Sequence, residues 1–402
     1  MAPPPRAHPL ARAPIADRAS GFLGQAWDRG WLPEPALDAD ELWALAAKGF
    51  RNRAEEAEIG GRRPDDVADF RLRLHVLTEA VQDEADLNPL GRAMAHGQLM
   101  RVIRARLRFG ELWSRRPELL ATRLAPPIIV IGHMRSGTTR IHKLLAADPA
   151  HSHTRYCDAW HPVPSTPDLR LARGAIDIAL LRGLNPWVQS IHPMASGEVE
   201  EELAWIAGAL NHSIYESQWR IPTYSAFSEA RDPAPVYREF ARVLRTDAAY
   251  RGLADKPRVL KVPQFAEDLA TLLVQFPDAR LVLAQRDTDA VLRSAVSLAA
   301  NQMAIQSDSC ELDRIEALWR HKIALREKRM ETALAEWPGP IARLHFDALN
   351  ADWEGEIRRT YAELGLDLSD AALTAMRATM ADSQSGDHRA HSQQLKRFAA
   401  RG

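Results

Sequence analysis

The stretch from Pro127 to Leu145 constrains this chain more than any other. Ile128 to Ile131 are four consecutive β-branched residues, Gly132 and Gly137 bound a short loop, and Ile141, Leu144 and Leu145 recur at helical spacing. The pattern predicts a strand, an anion-binding loop and a helix. Such a loop turns successive backbone N–H groups inward above a helix N-terminus, where an oxyanion is held without a dedicated pocket. Thr138 and Thr139 add hydroxyl donors, and the glycines let the backbone approach closely. The nucleotide-triphosphatase pattern G-x-x-x-x-G-K-[ST] is nearly met, but Thr138 stands where the lysine that reaches the β- and γ-phosphates belongs. Triphosphate cleavage is therefore disfavoured, and the cation sits earlier, at Arg135.

A second phosphate site follows further along the chain. Arg258 to Pro263 reads as a strand ending in Lys261, and Arg280 to Arg286 as a strand that Arg286 closes. Thr288 is placed to cap the next helix, and Ser294 lies inside that helix. A guanidinium gives two parallel N–H bonds to a phosphate, and a serine hydroxyl adds a third.

Together, Arg135-Ser136-Gly137-Thr138-Thr139 and the Arg286–Ser294 pair resemble the phosphosulfate loop and the 3′-phosphate clamp of the sulfotransferases, which use 3′-phosphoadenosine-5′-phosphosulfate (PAPS). The resemblance to bacterial members runs from about residue 38 to the tail. It implies an α/β fold, a three-layer P-loop-like domain with a mostly parallel central sheet, preceded by a helical layer. It also implies transfer of a sulfuryl group from PAPS to an acceptor hydroxyl. Arg135 and the N–H groups of Ser136 to Thr139 would hold the 5′-phosphosulfate, and Arg286 and Ser294 the 3′-phosphate. No metal is expected, because guanidinium groups and loop dipoles take the electrostatic task given elsewhere to Mg²⁺.

The chain divides into three stretches. Residues 1–35 carry seven prolines with little periodicity and read as a flexible arm. Residues 36–124 are helical in pattern, through Leu42, Leu45 and Ala46, then Leu72 to Leu77, then Leu99, Ile103 and Leu107. Residues 125–402 form the PAPS-binding α/β domain. The basic run Arg101, Arg104, Arg106, Arg108, Arg115 and Arg116 reads first as a solvated helix face. After Arg286 come two long helices, a strand at Ile341–Phe346, and two more helices around 353–364 and 369–380.

Composition excludes some partners. With 52 basic and 53 acidic side chains, no global field recruits nucleic acid or an anionic membrane, so any basic site is local. The prolines at the start do not suit a signal peptide, and no apolar run is long and uncharged enough to span a bilayer. Cys157 and Cys310 are too few for a disulfide framework. A cytoplasmic location is expected.

Proton removal from the acceptor needs a base. In bacterial sulfotransferases an acid beside an aromatic, after the loop helix, is the proposed base, and Asp158 matches that position. Tyr156 and Trp160 would have to raise its pKa. His161 and His192 are the rivals, since imidazole already titrates near neutrality. Glu201 or Glu202 could also touch a hydroxyl, although acidic residues there equally suit a helix first turn. Histidines 151, 153 and 161 with Cys157 lack the spacing of a structural zinc site. Lys261, at a strand's carboxyl end, points toward the crevice where α/β folds bind ligands and could meet the sulfuryl group. The aromatics Trp160, Trp187, Trp205, Tyr215, Trp219 and Tyr224 could wall an apolar pocket or simply be core.

In the basic tail, the resemblance implies that Arg389 helps close the nucleotide site. Arg135 replaces the lysine of the cytosolic animal enzymes, and Gln264 and Gln285 stand where bacterial relatives often carry histidine. The acceptor class stays open among small-molecule, lipid and glycan hydroxyls. Two other functions stay open: a P-loop small-molecule kinase, and a non-catalytic protein that binds PAPS or its product.

Overall fold

The structure, a computed structural model, describes residues 6, 8 and 10–383. Arg389 and the basic tail lie outside them. Four strands form one parallel sheet in the order β2-β1-β3-β4: β1 (Ile128–Ile131), β2 (Val259–Lys261), β3 (Arg280–Gln285) and β4 (Ile341–His345). β1 is central, with Val130 opposite Lys261 on one side and Val282 on the other.

Three layers follow from side-chain alternation along these strands. Ile129, Ile131, Leu260, Leu281 and Leu283 join one apolar cluster with helix Ala234–Arg251. Ile128, Val130, Val259, Val282 and Ala284 join another with the loop helix Thr138–Ala146 and helix Trp353–Glu363. Strands buried on both faces need the near-continuous β-branched run seen at β1.

The amino-terminal helices include Ala39–Ala47, Pro64–Glu84 and Pro89–Arg115. The Asp38 carboxylate caps the first of these, accepting from the N–H groups of Asp40 and Glu41. Their apolar faces share a cluster with Ala207, Leu210, Tyr215, Trp219 and Tyr224, from the segment between β1 and β2. Arg106 departs from the solvated-face reading. It is buried, lies over the Phe70 ring, and sits within 4.0 Å of both Glu58 and Glu239.

Residues 1–35 are not wholly irregular, since Pro14–Asp28 is a helix with proline at its first turn. Arg12 ties it to Asp308, and Ala13 packs with Trp187 and Ile191. Pro14 opens this helix.

Candidate active site

The strand–loop–helix unit forms as the sequence predicts. β1 ends at Ile131, the loop crosses Gly132 to Gly137, and the helix begins at Thr138. Gly137 has φ 96°, and a Cβ there would lie 2.8 Å from the Phe346 ring. Gly132 has φ 136°, and a Cβ there would lie 2.6 Å from the Ala284 carbonyl. Both positions therefore require glycine. The first N–H groups of an α-helix have no intrahelical acceptor, so those of Thr138 and Thr139 face the loop. Ser136 is turned the other way: its N–H and hydroxyl both donate to the His133 carbonyl, at 3.2 and 2.6 Å. It closes the loop.

Arg135 occupies left-handed backbone at φ 69°, an unfavourable conformation for a residue with a Cβ. Strain of this kind is retained where surrounding contacts fix it. Here its Nε donates to Ser294 Oγ at 2.9 Å, and Nη1 to the Ile191 carbonyl at 3.2 Å. Arg286 Nη1 donates to the Arg135 carbonyl at 2.7 Å, and its guanidinium stacks on Phe346 at 4.0 Å from the ring centroid. Burial lowers the Arg135 pKa, and the neighbouring Arg286 charge adds to that effect. Two neighbouring arginine charges concentrate a positive field suited to an anion. The structure thus brings Arg135 to Ser294 and Arg286, which lie 159 and 151 residues further along the chain. One detail differs: Asp287, not Thr288, caps the helix Thr288–Gln306, its carboxylate accepting from the Ala290 N–H at 2.8 Å.

Beside the loop stands a second cluster. Lys261, buried at the carboxyl end of β2, places Nζ 2.9 Å from Glu201. Its backbone N–H donates to Glu202 at 3.0 Å. His192 Nε2 lies 3.1 and 3.2 Å from the two Glu200 oxygens. Burial alone would depress the His192 pKa, but the Glu200 carboxylate outweighs it and the pKa is raised. The Glu201 charge acts on both Arg135 and His192, so the two clusters adjoin. Burial pushes Glu202 up to about 7, against the pull of the Lys261 N–H. Among the described residues, His192, Glu200 and Glu201 bring one ligand atom each to within 4.8 Å of one another. Their partners already account for that grouping: Glu200 pairs with the imidazole and Glu201 with Lys261.

Asp158 does not meet the requirements of a base. It has no solvent exposure and accepts from Arg155 Nε at 2.7 Å and Nη2 at 2.9 Å. Arg170 and Arg251 each approach it to 3.2 Å. Burial favours the acid form, but the arginines outweigh it and the pKa falls below the usual value. The expected desolvation by Tyr156 and Trp160 is thus overruled by three cations. His161 is engaged with Asp177 at 3.1 Å, and His151 bonds the Leu145 carbonyl at 2.9 Å.

The aromatics are mostly core. Trp205, Tyr215, Trp219 and Tyr224 are fully buried and their polar atoms have internal partners: the Asp158 carbonyl, the Ala207 carbonyl, Gln306 and the Leu210 carbonyl. Phe346 and Glu200 were not expected from the sequence. Phe346 directly follows β4, and the carboxyl ends of parallel strands are where α/β sites form, so a position-based signal existed. A cavity of about 520 Å³ lined by Leu120 to Pro127, Arg245 and Gln275 to Asp278 opens at the amino ends of β1 and β3, away from this site.

A parallel sheet whose central strand runs into a glycine-bounded loop, met by Arg286 just after a neighbouring strand and Ser294 in the helix that follows, defines an α/β protein with a crevice at the carboxyl ends of its strands. The sulfotransferase family model matches residues 126–370, and the chain belongs to the sulfotransferase family. It is 27% identical over 289 residues to the omega-hydroxy-beta-dihydromenaquinone-9 sulfotransferase Stf3 of Mycobacterium bovis, covering 67% of this chain and 70% of that protein. The Stf3 of Mycobacterium tuberculosis matches to the same extent. The crystal structure of sulfotransferase STF1 from Mycobacterium tuberculosis superposes with a TM-score of 0.76 at 28% identity, over 92% of this chain and all of that one. STF9 from Mycobacterium avium shares the fold, with a TM-score of 0.75 at 21% identity over 87% of this chain and 89% of its own.

Proposed function

We propose that the chain transfers a sulfuryl group from PAPS to an acceptor hydroxyl, releasing 3′-phosphoadenosine-5′-phosphate. The observation that carries this reading is the junction of Arg135, Ser294 and Arg286, which ties the anion loop to the arginine–serine clamp through contacts of 2.9 and 2.7 Å. In the proposed reaction the acceptor oxygen forms a bond to sulfur while the bond from sulfur to the bridging phosphate oxygen breaks. The bonding electrons stay on that oxygen, and the acceptor proton passes to a base. By analogy with phosphoryl transfer, the transition state is loose and catalysis is mainly positioning and charge stabilisation.

Arg135, with the N–H groups of Gly137, Thr138 and Thr139, holds the phosphosulfate; Ser136 shapes the loop. Arg286 and Ser294 hold the 3′-phosphate, with Arg389 assigned to its closure on the resemblance alone. Lys261 is positioned for the sulfuryl oxygens. Guanidinium cannot donate a proton at neutral pH, so the leaving phosphate departs as an anion beside Arg135. His192 is the base, held by Glu200; Glu201, on Lys261, is the other group within reach. The acceptor is proposed to be an apolar alcohol, by likeness to relatives whose name specifies a menaquinone-derived one.

Calorimetry without magnesium tests the reading. Wild type should prefer 3′-phosphoadenosine-5′-phosphate to ADP, and Arg286→Ala should lose that preference by about 100-fold, as expected for two charge-assisted hydrogen bonds of about 1.5 kcal/mol each. Equal binding of both nucleotides, or magnesium-dependent ATP turnover, refutes it. Binding without transfer to any alcohol leaves a carrier of the nucleotide.

A further inference from the structure

The helix Arg170–Leu184 carries an exposed apolar face with no role in the site just described. Leu171, Ile176 and Leu180 are 54, 59 and 64% exposed, and Leu169, just before the helix, is 48% exposed. Ala172, Ala175 and Ala179 lie exposed between them. Soluble surfaces usually scatter such residues singly, so four on one short segment mark an interaction face. The exposed charges within the helix are Arg173 and Arg182, both cationic, and the exposed Asp168 beside Leu169 is neutralised by the buried Arg170 at 2.8 Å. Its carboxylate, Asp177, is half-buried and engaged by His161 and Arg101.

The inner side of this helix leans on the catalytic segment. Gly174 is buried, and a Cβ there would lie 2.5 Å from Ser196 Oγ and 3.3 Å from the Tyr156 ring. Ser196 Oγ donates to the Leu171 carbonyl at 2.6 Å, and Arg182 Nη2 to the Met194 carbonyl at 3.1 Å. Within a few residues lie His192 and Glu200, and the helix leads through Asn185 to Ile191, whose carbonyl Arg135 contacts. The apolar face is therefore joined to the site by direct contacts along a single stretch of chain.

We propose that this face docks on an anionic phospholipid surface, so that the acceptor hydroxyl is presented by a membrane-borne lipid; this rests on the transferase reading of the adjoining site. The charge argument selects the occupant. The chain has a formal net charge of −1, so nothing draws it globally to a bilayer, and the attraction must be local. An apolar stripe flanked by arginines has the composition of an interfacial helix, with its side chains among the acyl boundary and its guanidinium groups at phosphate level. The interleaved alanines leave a smooth surface, suited to a fluid interface. No helix among the described residues is long and apolar enough to cross a membrane, so the contact is peripheral.

Flotation of the full chain with large unilamellar vesicles tests this, using phosphatidylcholine with and without phosphatidylglycerol. Wild type should float with the anionic vesicles and be released as ionic strength rises. The double variant Ile176→Glu/Leu180→Glu should bind at least about tenfold more weakly, and Arg173→Glu should weaken only the anionic component. Binding of 3′-phosphoadenosine-5′-phosphate by the same variants should match wild type, which certifies the fold. No flotation of wild type, or equal flotation of the double variant, overturns the proposal. So does light scattering that shows a dimer which the double variant dissociates, since a second copy would then own the face. If wild type floats but binds no nucleotide, the docking stands and the transferase reading falls.

Discussion

Replacing Asp158 by asparagine separates a structural carboxylate from a catalytic one. The change preserves shape but removes the charge that Arg155, Arg170 and Arg251 surround, with contacts of 2.7, 3.2 and 3.2 Å. Arg170 and Arg251 also approach Asp247, at 3.8 and 3.6 Å, so part of their compensation survives. Arg155 keeps at most one neutral acceptor where it had a charged bidentate partner. Removing one member of a buried ion cluster costs roughly 3–5 kcal/mol, because the remaining charges keep their desolvation penalty. The residual Asp247 contacts place the cost at the lower end, about 3 kcal/mol. At about 2 °C per kcal/mol for a large chain, the melting temperature should fall by about 6 °C.

The assay pairs a thermal melt with calorimetric titration of 3′-phosphoadenosine-5′-phosphate at a temperature where both proteins are folded. Nucleotide affinity should change less than about twofold, since Asp158 has no contact with the loop or the clamp. The pH dependence has a definite sign. Asp158 has a folded pKa below its unfolded value near 4, so its stabilisation is full above that value and is lost as pH falls through the folded pKa. The asparagine variant should lack this part of the acid destabilisation. Should the variant melt within about 1 °C of wild type and yet lose turnover about 100-fold or more, the structural assignment is wrong and Asp158 acts as a base.

Four further outcomes are expected. His192→Ala should lower kcat by about 10²–10⁴-fold with the nucleotide Kd unchanged, and the wild-type rate should rise with pH through a midpoint above the ordinary imidazole range. Glu200→Gln should move that midpoint down, because the carboxylate is what raises the imidazole pKa; an unmoved midpoint removes His192 as the base. Gly137→Ala places a methyl 2.8 Å from the Phe346 ring at φ 96°, and should abolish measurable nucleotide binding while circular dichroism stays near wild type. Phe346→Ala removes the ring under Arg286 and should weaken nucleotide binding about threefold, the value of a partly exposed cation–π contact.

The anion loop was legible because it is written in consecutive residues: the β-branched run, the two glycines and the threonines each dictate a local backbone outcome. The places of Arg286, just after a strand, and of Ser294, inside the next helix, were legible for the same reason. The surroundings of Asp158 were not legible, because they come from Arg155, Arg170 and Arg251, which no local pattern brings together. Arg106 was misread likewise: its position in a basic run gives no sign that Glu58 and Glu239 close over it. The amino-terminal helix was obscured by counting prolines without position, although Pro14 sits where proline starts a helix.

The glutamine at 264 acquires a physical meaning from its surroundings. Gln264 is buried, and its Nε2 lies 3.3 Å from Glu216, a carboxylate also engaged by Arg326 at 2.7 Å and Lys322 at 2.7 Å. Glu267 joins the same network through Arg326 and His212. A histidine at 264 would meet the Glu216 carboxylate, whose charge is shared with Lys322 and Arg326, so its basicity would be set by that buried network. Gln264 contributes a neutral donor and adds no charge. On the proposed reading the proton acceptor lies in the segment from His192 to Glu201, beside Lys261. Converting Gln264 to histidine should leave the His192→Ala variant inactive, because the new imidazole would sit within the Glu216 network; recovery of turnover in that double variant would refute this account.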